Sequence, residues 1–333
     1  MKRVLPAEWE YQDAIIIAWP NQFTDWKDNL PDVLKTYTEV ANHISQTQLL
    51  IILSNQINIK QIFNPENLKN IISIQSDYND TWTRDYIGLS ILINNKPTLL
   101  DFKFNGWGNK FEFEKDNKIN YHLVEKGFIL NIDSDFDDFI LEGGSIESNG
   151  LGTILTTEKC LLNKNRNSEL RKGQIEDQLK KSLGVKKIIW VKNGEIIGDD
   201  TDSHIDTLVR FCNTNTLVYS IDSSEELQKL EYELKGISKK ENYTIIPIHL
   251  PKNKVFVKNR LPATYVNFII TNHKILVPTY NDPNDIKALK TFTELFPGRE
   301  IIGIDSTALI RQGGSLHCIT MQFYKNILTR PLR

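Results

Sequence analysis

The sequence is poor in cysteine, with only three among 333 residues, far apart at positions 160, 212 and 318. An odd number at such spacing fits neither a framework of disulfide bonds nor the paired cysteines of a structural zinc site. A reducing compartment, the cytoplasm, is therefore the expected location. A chain of this length buries about three quarters of its unfolded surface, so a hydrophobic core is expected to stabilise it without cross-links.

An excess of charge of one sign is also missing. Forty Lys and Arg oppose 42 Asp and Glu, which gives a formal net charge of −2, and the charges are spread along the chain. This argues against binding to nucleic acid or to a membrane surface through bulk charge. The apolar runs, such as residues 14–19 and 49–53, are far shorter than the roughly 18 to 20 residues that cross a bilayer. Pro6 and the acidic residues after it leave no apolar segment typical of a signal peptide.

Short β-rich runs recur along the chain, with fewer helical patterns between them. Apolar stripes with helical spacing predict helices over residues 31–46 and 168–183, from 223 to 236, and from 282 onwards. Ser223 and Glu226 form the pattern of a capping box, and Gly236 is expected to end that helix. Strands are expected at residues 14–19, 49–53, 89–93, 153–157, 187–191, 217–221, 244–248, 265–270, 274–278 and 301–304.

The order of these elements predicts a mixed α/β fold, without the regular alternation of a doubly wound sheet. No long segment rich in Gly, Pro and Ser divides the chain, so one domain is expected over residues 1–333. A short internal similarity is present, because residues 142–146 and 312–316 both contain Gly-Gly-Ser followed by an aliphatic residue.

The densest polar cluster covers residues 198–206 and runs directly into an apolar segment. If this segment is a strand, His204 and Asp206 point to the same face, where an imidazole and a carboxylate could serve as a general acid and base or bind a metal. A solvated acidic loop is the alternative interpretation.

Two further clusters combine a carboxylate with residues suited to a ligand. Trp82 and Asp85 place a large apolar surface near a carboxylate, which suits a ligand with an alkyl stem and a cationic head. A surface ion pair beside a core tryptophan explains them equally well. Glu142 precedes two glycines that let the backbone approach a ligand closely, although a simple turn also explains the glycines.

The last cluster places Cys318 after a glycine-rich turn near the end of the chain. Backbone N–H groups in such a turn can lower the pKa of a thiol, so Cys318 is a candidate nucleophile. Free cysteines are more often inert core residues, and Cys160 and Cys212 fit that description better.

Taken together and in this order, these clusters resemble the agmatine deiminase family, within the wider group of guanidine-modifying enzymes that includes the bacterial-type peptidylarginine deiminases. The resemblance runs along almost the whole chain. Its segments are residues 5–10, 19–20, 79–85, 104–108, 141–147, 156–167, 198–211, 262–268, 280–283, 296–299 and 313–320.

The resemblance implies a five-bladed α/β propeller (pentein), in which five ββαβ modules surround a central active-site cavity. The spacing is compatible with this fold. Asp85 and Glu142 lie 57 positions apart, Glu142 and His204 lie 62 apart, and His204 and Cys318 lie 114 apart, which is twice 57. The module between the last two is then expected to contribute near residues 265–268, with Asn267 as a candidate.

The resemblance also implies a set of roles. Cys318 attacks the guanidine carbon, His204 protonates the departing ammonia and then activates water, and Asp206 and Asp85 complete the catalytic set. Glu142, Trp82 and Asp200 bind the substrate, with Trp82 along the alkyl stem and Asp200 at the distal amine. His317 is expected to be structural, and neither a metal nor an organic cofactor is expected.

The expected activity is conversion of agmatine and water to N-carbamoylputrescine and ammonia. Deimination of another guanidine, either free arginine or a peptidyl arginine, is the alternative, and a propeller that only binds a ligand is a third. Ser203 stands where the family has Gly, and Ile87-Gly88 replaces its Gly-Pro, which leaves the substrate less certain than the reaction. No nucleic-acid or membrane partner is expected, and the sequence leaves a homo-oligomer open.

Overall fold

The apolar runs of the sequence form the strands of the computed structural model, which describes residues 1–55, 58–136, 138–252, 254–256 and 258–329. Within these ranges the strands build five sheets and one separate hairpin. Sheet 1 contains Arg3–Val4, Leu89–Ile93, Lys96–Leu100 and Ile132–Asp133; sheet 2, Ile146–Ser148, Thr153–Thr157 and Lys187–Val191; sheet 3, Val209–Asn213, Thr216–Ile221 and Thr244–His249; sheet 4, Ile269–Ile270, Lys274–Thr279 and Glu300–Asp305; sheet 5, Met321–Tyr324, Gln12–Ala18, Leu49–Ser54 and Ile71–Gln75; the hairpin, Val255–Phe256 and Asn259–Arg260.

All five sheets combine antiparallel and parallel pairing in the same way. In sheet 3, Thr216–Ile221 runs antiparallel to Val209–Asn213 and parallel to Thr244–His249. Parallel neighbours need a long connection, and here the helix Glu225–Glu241 supplies it. The other sheets repeat this arrangement, and sheet 5 takes its antiparallel strand, Met321–Tyr324, from the opposite end of the chain.

The helices are either long crossovers or short turns. The long helices are Leu30–Ser45, Ile119–Glu125, Lys172–Leu183, Glu225–Glu241 and Asn284–Leu295. The short ones are Ile59–Ile62, Pro65–Leu68, Thr83–Tyr86, Gly106–Asn109, Glu158–Leu161 and Ile205–Leu208, with 3₁₀ turns at Lys27–Asn29, Asp116–Lys118, Gly143–Ser145 and Leu309–Gln312. Among the described residues, no helix has both the length and the apolar character needed to span a bilayer.

Helix Leu30–Ser45 shows how a crossover covers its sheet. Its stripe at three- and four-residue spacing, which includes Val33, Tyr37 and Ile44, is completely buried. Pro31 stands in the first turn, where a missing N–H breaks no helical hydrogen bond. The predicted helix is confirmed, and the helices predicted from residues 168, 223 and 282 are also present.

Nine of the ten predicted strands are confirmed to within two residues at each end. The exception is the run over residues 265–270, of which only Ile269–Ile270 is a strand. The chain turns at residues 265–266, and this turn directs Asn267 toward Cys318 instead of into a sheet.

The predicted capping box at Ser223 is wrong. The helix begins at Glu225, and its N-cap Ser224 makes no side-chain capping bond, because the hydroxyl and the N–H of Ser224 both donate to Asp222. Gly236 does not end the helix either. It lies inside the helix, which continues to Glu241 and ends at the left-handed Asn242.

The strand expected through His204 and Asp206 is also wrong. These residues start a single helical turn, Ile205–Leu208, and the strand begins at Val209. Two consecutive left-handed residues, Asp202 (φ 66°) and Ser203 (φ 65°), precede this turn and change the chain direction. Cys318 likewise lies in a turn before a strand and not on a strand.

Replacement of Gly236 by Ala tests the corrected helix. A Cβ at this exposed position meets no atom within 4 Å. Because glycine inside a helix costs about 0.5–1 kcal/mol relative to alanine, we expect Gly236→Ala to raise the free energy of unfolding by that amount. Chemical denaturation measures it.

Gly184→Ala is the matched control. Gly184 has a φ of 70°, and its Cβ would lie 2.2 Å from the carbonyl oxygen of Arg3. This variant should be less stable than the wild type by more than about 1 kcal/mol. If Gly236→Ala destabilises the protein in the same way, residue 236 is not inside a helix.

Candidate active site

Four of the predicted site residues line one cavity of about 700 Å³. They are Trp82, Asp85, Asp200 and Cys318. The cavity wall also includes Trp107 and the carboxylates of Asp25 and Asp80. Predicted residues that are separated by up to 236 positions in the sequence therefore meet on one wall.

Cys318 is held in its turn by Asn267. The side-chain oxygen of Asn267 accepts from the N–H of His317 at 3.0 Å and from the thiol of Cys318 at 3.4 Å. Burial raises the pKa of the Cys318 thiol well above its ordinary value, and the charges of Asp206 and Asp85 raise it further. Without a cation nearby, Cys318 is therefore a protonated thiol at neutral pH.

Asp85 lies in the helical turn Thr83–Tyr86 and is fixed by two donors. Its Oδ1 accepts from the N–H of Gly144 at 2.9 Å, and its Oδ2 accepts from Nε1 of Trp107 at 2.9 Å. Trp107 reaches this position because residues 106–109 all have a positive φ, which makes a left-handed turn. Burial raises the pKa of Asp85, while His204 lowers it in part.

His204 lies between two carboxylates and is completely buried. Its Nδ1 is 3.7 Å from Oδ1 of Asp85, and its Nε2 is 3.7 Å from Oε2 of Glu142. Neither ring nitrogen has a hydrogen-bond partner within the described residues. Burial lowers the pKa of a histidine, but Asp85, then Cys160 and Glu142, raise that of His204 well above its ordinary value. At neutral pH the ring therefore carries a proton that it can donate.

Gly144 lets these groups converge. A Cβ at this position would lie 2.7 Å from Nδ1 of His204, 2.9 Å from Oδ1 of Asp85 and 3.1 Å from Oδ2 of Asp206. Any larger side chain would push them apart. The Glu-Gly-Gly segment was expected to let the backbone approach a ligand closely. At Gly144 the groups that approach the backbone are the side chains of predicted catalytic residues.

Asp206 has one bonded and one free oxygen. Oδ2 lies 2.7 Å from Nδ1 of His317, whereas Oδ1 is buried and has no hydrogen-bond partner in the described ranges. Burial raises the pKa of this carboxyl, but the hydrogen bond and charge of His317 hold it below its ordinary value. Asp206 is therefore an ionised carboxylate with an oxygen available to a donor.

Glu142 is placed differently from the other predicted carboxylates. Both of its oxygens accept from Nε of Arg166 at 2.9 Å, and, like His204 and Asp206, it lies behind the residues that line the cavity wall. Burial raises the pKa of Glu142, but His204 and Arg166 hold it below its ordinary value. The contacts of Glu142 thus point to His204 and not to a ligand.

Part of the cavity wall is acidic, since Asp25, Asp80 and Asp200 all line it. Asp80 is buried, and its burial together with the charges of Asp25, Asp200 and Asp85 raises its pKa to about 7. Trp82 packs beside it against Gly314, where a Cβ would lie 2.5 Å from the indole ring. These carboxylates therefore suit a second positive charge on a ligand, and the indole of Trp82 suits an alkyl stem.

In the part of the chain that the structure describes, two groups of side chains have the spacing of metal ligands, but arginines already pair with their carboxylates. They are Glu142, Cys160 and His204, and Glu8, Glu147 and His317. Arg166 binds Glu142, and Arg210 lies 2.5 Å from Glu147 and 2.6 Å from Glu8. The carboxylates that a metal would need are thus neutralised by guanidinium groups of the chain.

Several residues of the site were missed in the sequence. Trp107, Arg166 and Asp80 all lie inside segments that resemble the family. The resemblance therefore included these residues, but no role was predicted for them. Asp25 lies outside every such segment, and no pattern marks it. Asn267 contacts Cys318, in the module where a contribution was expected.

Comparison with known proteins finds the same likeness along the whole chain. The family model of the Porphyromonas-type peptidyl-arginine deiminase matches residues 4–323. A cysteine-to-serine variant of the C. jejuni agmatine deiminase, solved with substrate bound, is 39% identical, with 97% of this chain and 96% of that chain covered and a TM-score of 0.89. An Enterococcus faecalis agmatine deiminase structure is 29% identical, with 98% and 96% covered and a TM-score of 0.88.

More distant relatives share the fold. A dimethylarginine dimethylaminohydrolase and an amidinotransferase from Microseira wollei, both 12% identical, have TM-scores of 0.56 and 0.57 and share the α/β fold of this chain. A curated Mycoplasma capricolum protein named "Putative agmatine deiminase" is 32% identical over 96% of this chain and 94% of its own length. From the match over residues 4–323 and these identities, the chain belongs to the Porphyromonas-type peptidyl-arginine deiminase family.

Proposed function

We propose that this protein is an agmatine deiminase, which hydrolyses agmatine to N-carbamoylputrescine and ammonia. The observation that carries the proposal is the cavity whose wall combines Cys318 and Asp85 with further carboxylates, those of Asp25, Asp80 and Asp200. Agmatine is a dication with a guanidinium and an ammonium at its two ends. The solved relatives that are named agmatine deiminase support the assignment.

The guanidinium lies between Asp85 and Asp206 in this proposal. A guanidinium is planar and always charged, so its burial requires carboxylates that accept its N–H groups. The free Oδ1 of Asp206 is such an acceptor. The positive charge of the substrate also offsets the two carboxylates that raise the pKa of Cys318, so binding of the substrate promotes loss of the thiol proton.

Catalysis proceeds through a covalent intermediate. The thiolate of Cys318 forms a bond to the guanidine carbon, and a proton from His204 goes to one amino group, which leaves as ammonia. This leaves an S-alkylthiouronium on Cys318 and a neutral His204. Water then attacks the same carbon and gives one proton to His204. The carbon–sulfur bond breaks to release the ureido product, and the second water proton goes to the sulfur, which restores the thiol of Cys318. Glu142 acts on His204 in this scheme and not directly on the substrate.

The acidic residues of the cavity wall favour agmatine over arginine. Asp80, Asp25 and Asp200 would repel the carboxylate of arginine, which agmatine lacks. Free or peptidyl arginine stays the second candidate, since Lys258 and Arg260 of the hairpin also line the cavity. Arg260, however, already lies 3.2 Å from Asp222. We assign Asp200 and Asp80 to the distal amine.

The finer architecture belongs to the same proposal. Each of the five sheets contains a strand that pairs antiparallel on one side and parallel on the other, and sheets 1 and 5 have a fourth strand. In each sheet a short turn at or next to a candidate residue precedes the antiparallel partner of that strand. We propose that these units form one five-bladed propeller over residues 1–333, with the cavity on its axis. The turns carry, in order, Asp85, Glu142, His204, Asn267 and Cys318.

Replacement of Cys318 by Ala tests the reaction. Purified protein is incubated with agmatine, arginine and an arginine-ended peptide, and ammonia and ureido product are measured. The wild type should turn over agmatine best, and Cys318→Ala should lose at least about 1,000-fold in kcat, since the covalent route is removed.

Cys212→Ala is the matched control. Cys212 is also buried, but it lies in sheet 3 away from the cavity wall, so its replacement should leave kcat within about threefold. Equal losses in the two variants would contradict the assignment of the nucleophile. Turnover of arginine but not agmatine would overturn the substrate, and absence of all three activities would favour a binding module.

The pKa of Asp80 gives a pH dependence. Since it is raised to about 7, the carboxyl gains its charge as the pH rises from about 6 to 8, and the ionised form attracts the ammonium of agmatine. The KM for agmatine should therefore fall over this range, and Asp80→Asn should raise the KM about tenfold at pH 8 and flatten the dependence.

Butylguanidine, which lacks the distal amine, is the control substrate for this measurement. Its KM should not show the additional fall between pH 6 and 8, since the changes at Cys318 and His204 affect both substrates. If the KM of butylguanidine falls as steeply as that of agmatine, Asp80 does not bind the amine.

A further inference from the structure

One buried histidine has no part in the proposed reaction. His317 directly precedes Cys318, but its ring does not line the cavity. Nδ1 of His317 lies 2.7 Å from Oδ2 of Asp206, and Nε2 lies 2.7 Å from Oε2 of Glu8. With its side chain 2% exposed, the ring exchanges neither contact for water.

The two carboxylates that His317 joins are held very differently. Glu8 has other strong partners, because Nη2 of Arg210 lies 2.6 Å from Oε2 and the N–H of Ile270 donates to Oε1 at 2.9 Å. Asp206 has no side-chain hydrogen bond other than that to His317 among the described residues, and its Oδ1 is free. His317 therefore ties a carboxylate with a single side-chain hydrogen bond to one that several partners hold.

We propose that His317 is a positioning residue, which holds Oδ2 of Asp206 so that the free Oδ1 faces the guanidinium of the substrate. The inference rests on the proposed function, since Asp206 needs a set direction only if it binds a guanidinium. His204 and Arg210 also act on Asp206 through their charges, but neither bonds to its side chain. The bond from Nδ1 is thus the part of His317 that acts on the substrate, and the bond from Nε2 anchors the ring.

Two amide variants separate these bonds. The amide nitrogen of Asn stands as many bonds from Cβ as Nδ1 of histidine, and that of Gln stands as many as Nε2. His317→Asn therefore keeps a donor toward Asp206 and loses the one toward Glu8, whereas His317→Gln does the reverse.

We expect His317→Asn to stay within about fivefold of the wild-type kcat/KM, and His317→Gln to fall by about 10- to 100-fold, the usual effect of a lost hydrogen bond to a charged group. Thermal unfolding should rank the two variants in the opposite order, because the anchor to Glu8 is lost in His317→Asn. A structural role alone would make activity follow stability.

Glu8→Gln is the third variant, because it removes the charge of the anchor and leaves the imidazole in place. It should lower the unfolding temperature but reduce kcat/KM less than His317→Gln does. The inference is overturned if the Asn and Gln variants lose equal activity, or if loss of activity follows loss of stability in all three. A wild type that hydrolyses no guanidine would instead overturn the proposed function, and this inference with it.

Discussion

Negative charge beside a thiol is the constraint on which the rest of the site depends. Burial raises the pKa of Cys318, and the charges of Asp206 and Asp85 raise it further, so the resting protein opposes formation of its own nucleophile. In a buried site such repulsion is strong, and a bound cation relieves it. In the proposed reaction, the positive charge by which the site selects its substrate is therefore also the charge that lowers the pKa of Cys318. A neutral ligand of the same shape would fill the cavity and leave the thiol protonated.

The distribution of buried arginines decides which carboxylates are free for a ligand. Arg166 pairs with Glu142, and Arg210 pairs with Glu8 and Glu147. Burial of single charges is costly, and these pairs offset much of that cost. Within the described residues, no lysine or arginine forms an ion pair with Asp85 or Asp206, whose partners within 4 Å are the rings of His204 and His317. The fold thus pairs Glu142, Glu8 and Glu147 with arginines and leaves the two carboxylates that we propose bind the guanidinium without a permanent cation.

Periodicity predicted the long elements well, because a stripe such as that of Leu30–Ser45 repeats over four turns. It failed at His204, since five residues cannot distinguish a strand from a single helical turn. Periodicity could not predict the contacts between the site residues, for another reason. Trp107 donates to a carboxylate 22 positions away and Arg166 to one 24 positions away, and tertiary packing alone brings them together. The family resemblance supplied the identities of the site residues, whereas their partners came from the structure.

The turns that carry the candidate residues explain why the site has no continuous motif. Each turn lies directly before a strand whose register is set by its neighbours in a sheet, so the sheet fixes the position of the side chain to within one turn of backbone. The repeated Gly-Gly-Ser has the same basis. Gly144 admits His204 against the backbone, and Gly314 admits Trp82 in the same way. Two side chains of the candidate site therefore each pack against a glycine of this motif.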